Sequence, residues 1–125
     1  MKLNPAHISA IDKIIFSIGG YFDGYETRTV LLDGEELHMT VTHSLHPEVR
    51  EIALSMTKDA FLNHHLCKLH IEGWKSKYIN SDILDGIQWD LEIYFSDGYK
   101  PVTIVGSNAY PTNFAELERL FGVEA

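Results

Sequence analysis

From Trp89 to Phe95 the chain alternates without a break: Trp89, Leu91, Ile93 and Phe95 are apolar, and Asp90, Glu92 and Tyr94 between them are polar. A period of two sends successive side chains to opposite faces, so this stretch is a strand with one buried and one wet face. Asp85-Gly86 and Asp97-Gly98 bracket it. They are turn chemistry, because Asp tolerates the left-handed region and Gly enters it freely. Ser96-Asp97-Gly98 turns the chain back into a return strand over 99–105. Pro101 has no N–H for a ladder, which places that strand on a sheet edge or delays its start to Val102. Asn113 then reads as an N-cap, with Glu116 completing a capping box. Phe114, Leu117 and Phe121 share one helical face, and Gly122 suits the left-handed cap that ends the helix. So short a helix is held by the sheet it covers.

The amino-terminal half carries weaker versions of the same signals. Pro5 can open a turn of helix bearing Ile8 and Ile11. Apart from Ser17, the residues from Ile14 to Phe22 are apolar, β-branched or Gly, and Asp23-Gly24 supplies a turn. Tyr25 to Leu32 continues as a strand, Asp33-Gly34 turns again, and Leu37, Met39 and Val41 alternate with His38, Thr40 and Thr42. Three strands in meander order follow. Gly19-Gly20 inside the first predicts a bulge or bend, the alternative being a close approach by another backbone or a ligand. Ser44 to Pro47 reads as a loop and 49–56 as a fourth strand. Thr57 caps a helix from Lys58 whose stripe is Leu62, Leu66 and Leu69 and which stops at Gly73. Between Trp74 and Asp85 no period appears, so the stretch reads as a crossing loop pinned by Trp74, Tyr78 and Ile83 or Leu84.

A chain of 125 residues fits one domain spanning 1–125. Its 10 Lys plus Arg against 18 Asp plus Glu leave a net charge of −8. That balance repels phosphate backbones, so nucleic acid is not expected as a partner, and it would steer a basic protein toward the chain. Cys67 is the single cysteine, which rules out an internal disulfide. Asp12 and Lys13 interrupt the apolar residues near the N-terminus, and no run is long enough to span a bilayer. The expectation is a cytoplasmic protein with no membrane anchor.

The carboxy-terminal half resembles a group of small bacterial α+β proteins sharing the pattern DGxxWxLxIxFxDG…GSNAYPxNFxxLxxLF. Here Asp85, Gly86, Trp89, Leu91, Ile93, Phe95, Asp97 and Gly98 match its first part, preceded by Trp74. Gly106 to Pro111, Asn113, Phe114, Leu117, Leu120 and Phe121 match its second. The group has no assigned activity, so the resemblance implies a shared fold and brings over no catalytic residue. GSNAYP admits two readings. It is a strand-to-helix connector bent at Gly106, or a recognition loop presenting Asn108 and Tyr110.

Other chemistry is sparse. His64, Cys67 and His70 at steps of three swing around a helix and do not converge on one ion, and His43 with His46 forms a second His-x-x-His pair. A Cys67 nucleophile beside His64 or His70 would lack an orienting third group and oxyanion donors. Asp90 and Glu92 read as a solvated strand face, and Ile18-Gly19-Gly20-Tyr21 lacks phosphate-loop spacing. Trp74, Lys75, Lys77 and Tyr78 could stack a base.

The expected fold is α+β: an antiparallel sheet of about five or six strands with two helices packed on one face, in the order β-β-β-β-α-β-β-α. The expected function is a non-enzymatic protein-interaction module of immunity, inhibitor or accessory type, with no cofactor and no catalytic residue. Its candidate binding residues are Gly106, Asn108, Tyr110, Trp74 and Tyr78. The alternative is a small-ligand or metal-binding domain using the helix that bears His64, Cys67 and His70.

Overall fold

The computed structural model describes residues 5–32, 37–82 and 86–122. A short helix α1 (Pro5–Ile8) leads into β1 (Ile11–Gly20), β2 (Gly24–Leu31), β3 (Leu37–His43) and β4 (His46–Leu54). A helical segment opening as α2 (Lys58–Ala60) follows, then β5 (Lys77–Ile79), β6 (Ile87–Phe95), β7 (Val102–Ser107) and α3 (Phe114–Leu120). The strands lie in the order β4-β3-β2-β1-β6-β7-β5.

β1 is central because it pairs along nearly its whole length with β2 on one side and β6 on the other. Residues directly opposed in a ladder share a face. Ile14 lies between Val30 and Ile93, Phe16 lies between Arg28 and Leu91, and Leu91 faces Ile104 across β7. That face carries the core. Phe114 and Phe121 of the α3 region lie either side of Phe16, with ring centroids 5.9 and 5.5 Å away, and Phe61 meets Phe121 edge-on at 6.3 Å. Each such burial contributes roughly 1.5–3 kcal/mol. The opposite face, with Lys13, Ser17, Thr27, Thr40 and Glu92, is covered by no element among the described residues. At the start of β1 and the end of β6, His7 ties α1 to the Asp97 turn by a 2.6 Å hydrogen bond and stacks on Tyr99 at 4.0 Å.

The α+β expectation holds, but the sheet has seven strands and is mixed. The extra strand is β5, which pairs parallel to β7 through Lys77↔Val105, Tyr78↔Gly106 and Ile79↔Ser107. Three residues carry too little pattern to declare a strand, so this stretch reads as loop in the sequence. β7 starts at Val102, as Pro101 requires, yet is flanked by β5 and is not an edge. The fourth strand begins earlier than expected, at His46. The turn at Asp33-Gly34 lies outside the described residues, as do Ile83, Leu84 and Asp85.

Three local expectations are corrected by tertiary packing. The helix after Thr57 is capped as expected, the Thr57 hydroxyl accepting from the Ala60 N–H at 3.1 Å. It does not stay regular. A wide turn over Phe61–His65 gives way to a tight one over Leu66–Leu69, and His70 then adopts the left-handed conformation at φ 50°. At about 100° per residue a straight helix would turn Ile71 away from the Leu62, Leu66 and Leu69 stripe. The break at His70 lets Ile71 bury with them, at 1% exposure. Asn113 makes no capping bond, its amide donating instead to the Leu69 carbonyl at 2.8 Å and joining the two helical segments. Gly19-Gly20 holds no bulge, since both glycines pair in register with β2 and β6; the one irregularity in β1 lies at Ile11/Lys13. Close backbone approach is the reason for Gly19: a Cβ there would overlap the Gly24 carbonyl oxygen and lie 2.6 Å from the Tyr25 Cα.

Candidate interaction surface

Four of the five candidate binding residues converge on Trp89. Gly106 faces Trp89 across the β6–β7 ladder, and a Cβ at 106 would overlap the indole. The indole N–H donates to the Ala109 carbonyl at 3.0 Å. Around the ring lie Trp74 at 6.4 Å, Tyr78 at 6.0 Å, Tyr110 at 6.5 Å and Phe114 at 4.7 Å between centroids. Asn108 sits beside this cluster at φ 56°, in the left-handed region that Asn tolerates. Its N–H donates to the Ile87 carbonyl at 2.8 Å, and its side-chain oxygen accepts from the Ile87 N–H at 2.7 Å. Gly86 leaves room for it, because a Cβ there would overlap the Asn108 amide.

These contacts tie Gly106 and Asn108 at the end of β7 to Trp89 and Ile87 at the start of β6. Trp74 is buried against Trp89, and the Tyr78 hydroxyl accepts from the Lys75 N–H at 3.0 Å. Both rings thus lie inward against the indole, where the sequence allowed them to stack a base. Tyr110 differs: one ring face lies nearly parallel to Trp89, at 14°, yet 40% of the residue is exposed.

The sheet topology brings further residues to Tyr110. The β1–β2 turn, the β3–β4 turn, the start of β6 and the ends of β5 and β7 all lie at one end of the sheet. Tyr21 and Phe22 form the first turn, 79% and 76% exposed and edge-to-face with each other at 5.1 Å. Leu45 tips the second turn, which the Ser44 hydroxyl ties to β2 by accepting from the Tyr25 N–H at 2.8 Å. Ile87 joins them on the groove side, and Ile79 reaches the same end from the open face, beside Gln88 and Asp90. Ten large apolar side chains are exposed among the described residues, and these five with Tyr110 place six of them at this end. Single exposed apolar residues need no explanation, but a cluster marks a contact site. Sequence reading missed Tyr21 and Phe22 by absorbing them into β1. The available signal was two adjacent aromatics directly before an Asp-Gly turn, where a strand has no interior left to bury them in.

Behind the tips, on the helical side, runs an open groove. Its main part, about 530 Å³, is lined by Ile18, Tyr21, Phe22, Glu26, Arg28 and Glu118, among others. A hollow of about 290 Å³ adjoins it through Ile18, Ile87 and Glu118 and is otherwise lined by Tyr110, Pro111 and Ala115. A third depression, of about 380 Å³, shares Glu26 and His43 and extends to His46 and Arg50. Arg28 is buried and ion-paired with Glu26, and Arg50 reaches the same carboxylate at 3.8 Å. The Arg28 guanidinium is buried in this pair, whereas the Arg50 side chain remains 62% exposed. The His43 Nδ1 accepts from the Leu45 N–H at 3.1 Å, and the His43 and His46 rings lie 4.7 Å apart.

The histidine-bearing helix does not assemble a metal centre. His64 faces Asp59 at 3.9 Å, His70 faces Glu72 at 3.2 Å, and the Cys67 thiol donates to the Asn63 carbonyl at 2.7 Å. Among the described residues no group of three or more His, Cys, Asp or Glu side chains is placed to hold an ion. None of the described helices is long and apolar enough to cross a membrane.

Asp90 and Glu92 lie on the open sheet face. Burial, and after it the charge of Glu92, raises the Asp90 carboxyl above the ordinary carboxylate range. A group that holds its proton more tightly when folded weakens the fold once ionised. The penalty is complete above the folded value and is relieved as pH falls through it toward the unfolded value. Asp90→Asn is therefore expected to raise the melting temperature at pH 7, with the gain shrinking on acidification; melts across pH 3–8 check this, and a gain that grows toward low pH would contradict it.

No family model matches the chain, and neither curated proteins nor solved structures include a significant match.

Proposed function

We propose that this protein is a non-enzymatic protein-interaction module, of the kind that serves as an immunity, inhibitor or accessory protein. Its contact surface is the apolar end of the sheet together with the groove behind it. One observation carries the reading: exposed Tyr21, Phe22, Leu45, Ile87 and Tyr110 gather at a single end, while the open sheet face is mainly polar. An apolar centre with a polar rim is the usual anatomy of a protein interface, and aromatic anchors supply much of the binding energy there. Within the groove Arg28 is engaged with Glu26, and the polar side chains do not converge on a reacting atom.

The test compares partners captured from the native cell by the wild-type protein, by Phe22→Ser with Tyr110→Ala, and by Thr103→Ala on the open face. Specific partners should be lost in the double variant and kept in the control. Equal recovery by all three would refute this assignment of the surface.

A further inference from the structure

We infer that the occupant of the groove is a basic segment of another protein. It inserts an apolar side chain between Ile87 and Tyr110 and sets a lysine or arginine against Glu118 and Asp23. The inference rests on the interaction surface proposed above and adds the chemistry of the partner.

The charges of the groove are unevenly matched. Arg28 and Arg50 both turn to Glu26. Asp23 and Glu118 line the same groove and have no ion-pair partner among the described residues. Glu118 also borders the apolar hollow that holds Ile87, Tyr110 and Ala115, so an acidic group stands at the mouth of an apolar recess. Its field reaches the recess: the Tyr110 hydroxyl is pushed up, first by burial and then by Glu118.

That pairing of recess and carboxylate fits a chain carrying an apolar and a cationic side chain a few residues apart. A small cation would leave the recess empty, and an anionic membrane surface would meet the acids directly. A second copy of this chain is disfavoured for the same reason, since it carries a net charge of −8 and would bring Asp23 and Glu118 against another acidic surface. Opposite charge on a partner both steers the encounter and fixes its register.

The experiment uses a phage-displayed library of random dodecapeptides selected on the whole immobilised protein. Enriched peptides are then synthesised and titrated into isotopically labelled protein by NMR. The expected winners carry Lys or Arg within a few residues of a large apolar side chain and shift the amides of Ile87, Ala115 and Glu118. Their affinity should fall about tenfold in Glu118→Lys and fall again at high salt, with circular dichroism confirming that the variant is folded. Winners that map to the groove but lack basic residues, or that ignore Glu118→Lys, overturn this inference and leave the interaction surface standing. A selection yielding no peptide that maps to the groove or the sheet end overturns both.

Discussion

Trp89→Ala is expected to cost about 3–5 kcal/mol, the range for removing a buried large aromatic, and to lower the melting temperature by on the order of 10 °C or more. The indole is the point on which Trp74, Tyr78, Tyr110 and Phe114 meet, at 4.7 to 6.5 Å between centroids. Its loss opens a cavity between sheet and α3 and removes the donor to the Ala109 carbonyl. A second substitution separates this account from a generic loss of bulk. Gly106→Ala should be strongly destabilising in the wild type, because its Cβ would overlap the indole. In the Trp89→Ala background that obstacle is gone, so the cost of Gly106→Ala should largely vanish. Urea denaturation of the four proteins measures the coupling. Additive losses would mean that Gly106 is required for some other reason than the ring it faces.

Gly19→Ala is expected to destabilise by about 1–3 kcal/mol or more, the range for overpacking a tight site. The atoms in the way are backbone, the Gly24 carbonyl and the Tyr25 Cα, and they cannot swing aside as a side chain can. Gly20→Ala is the internal control. Its nearest obstacle is the Gly86 carbonyl oxygen at 3.2 Å, which needs to yield only a few tenths of an ångström. The two variants differ in position by one residue and in chemistry not at all. Equal melting temperatures would exclude the close approach of β1 and β2 as the reason for the glycine.

Both changes act on the surface as well as on stability. Gly19 shapes the hairpin that presents Tyr21 and Phe22, and Trp89 supports the ring of Tyr110. Loss of peptide binding in either variant therefore needs the folded fraction measured alongside it.

Much of the architecture was legible because it is local. Alternation over Trp89 to Phe95, the Asp-Gly turns and the Phe114, Leu117 and Phe121 stripe each depend on residues a few positions apart. The missed parts depend on contacts remote in sequence. Lys77–Ile79 becomes a strand only because β7 offers a free edge beside it, and Asn113 leaves its cap because the Leu69 carbonyl is within reach. The candidate site divides in the same way. Tyr110 stood out in the sequence, whereas Tyr21, Phe22 and Ile87 join it only through the registers that bring three separate connections to one end of the sheet.

Read alone, the chain determined its α+β class, most strand and helix positions, a solitary cysteine and an acidic balance, since these follow from period, turn chemistry and count. Only the tertiary structure decided the order β4-β3-β2-β1-β6-β7-β5, the parallel β5 and the contacts that Gly106 and Asn108 make. Asn108 proved to be a second clasp on Ile87 and Gly106 the space that Trp89 fills. The physical reason is that a side chain's partner across a sheet is chosen by register and packing, and neither is written in the spacing of its neighbours.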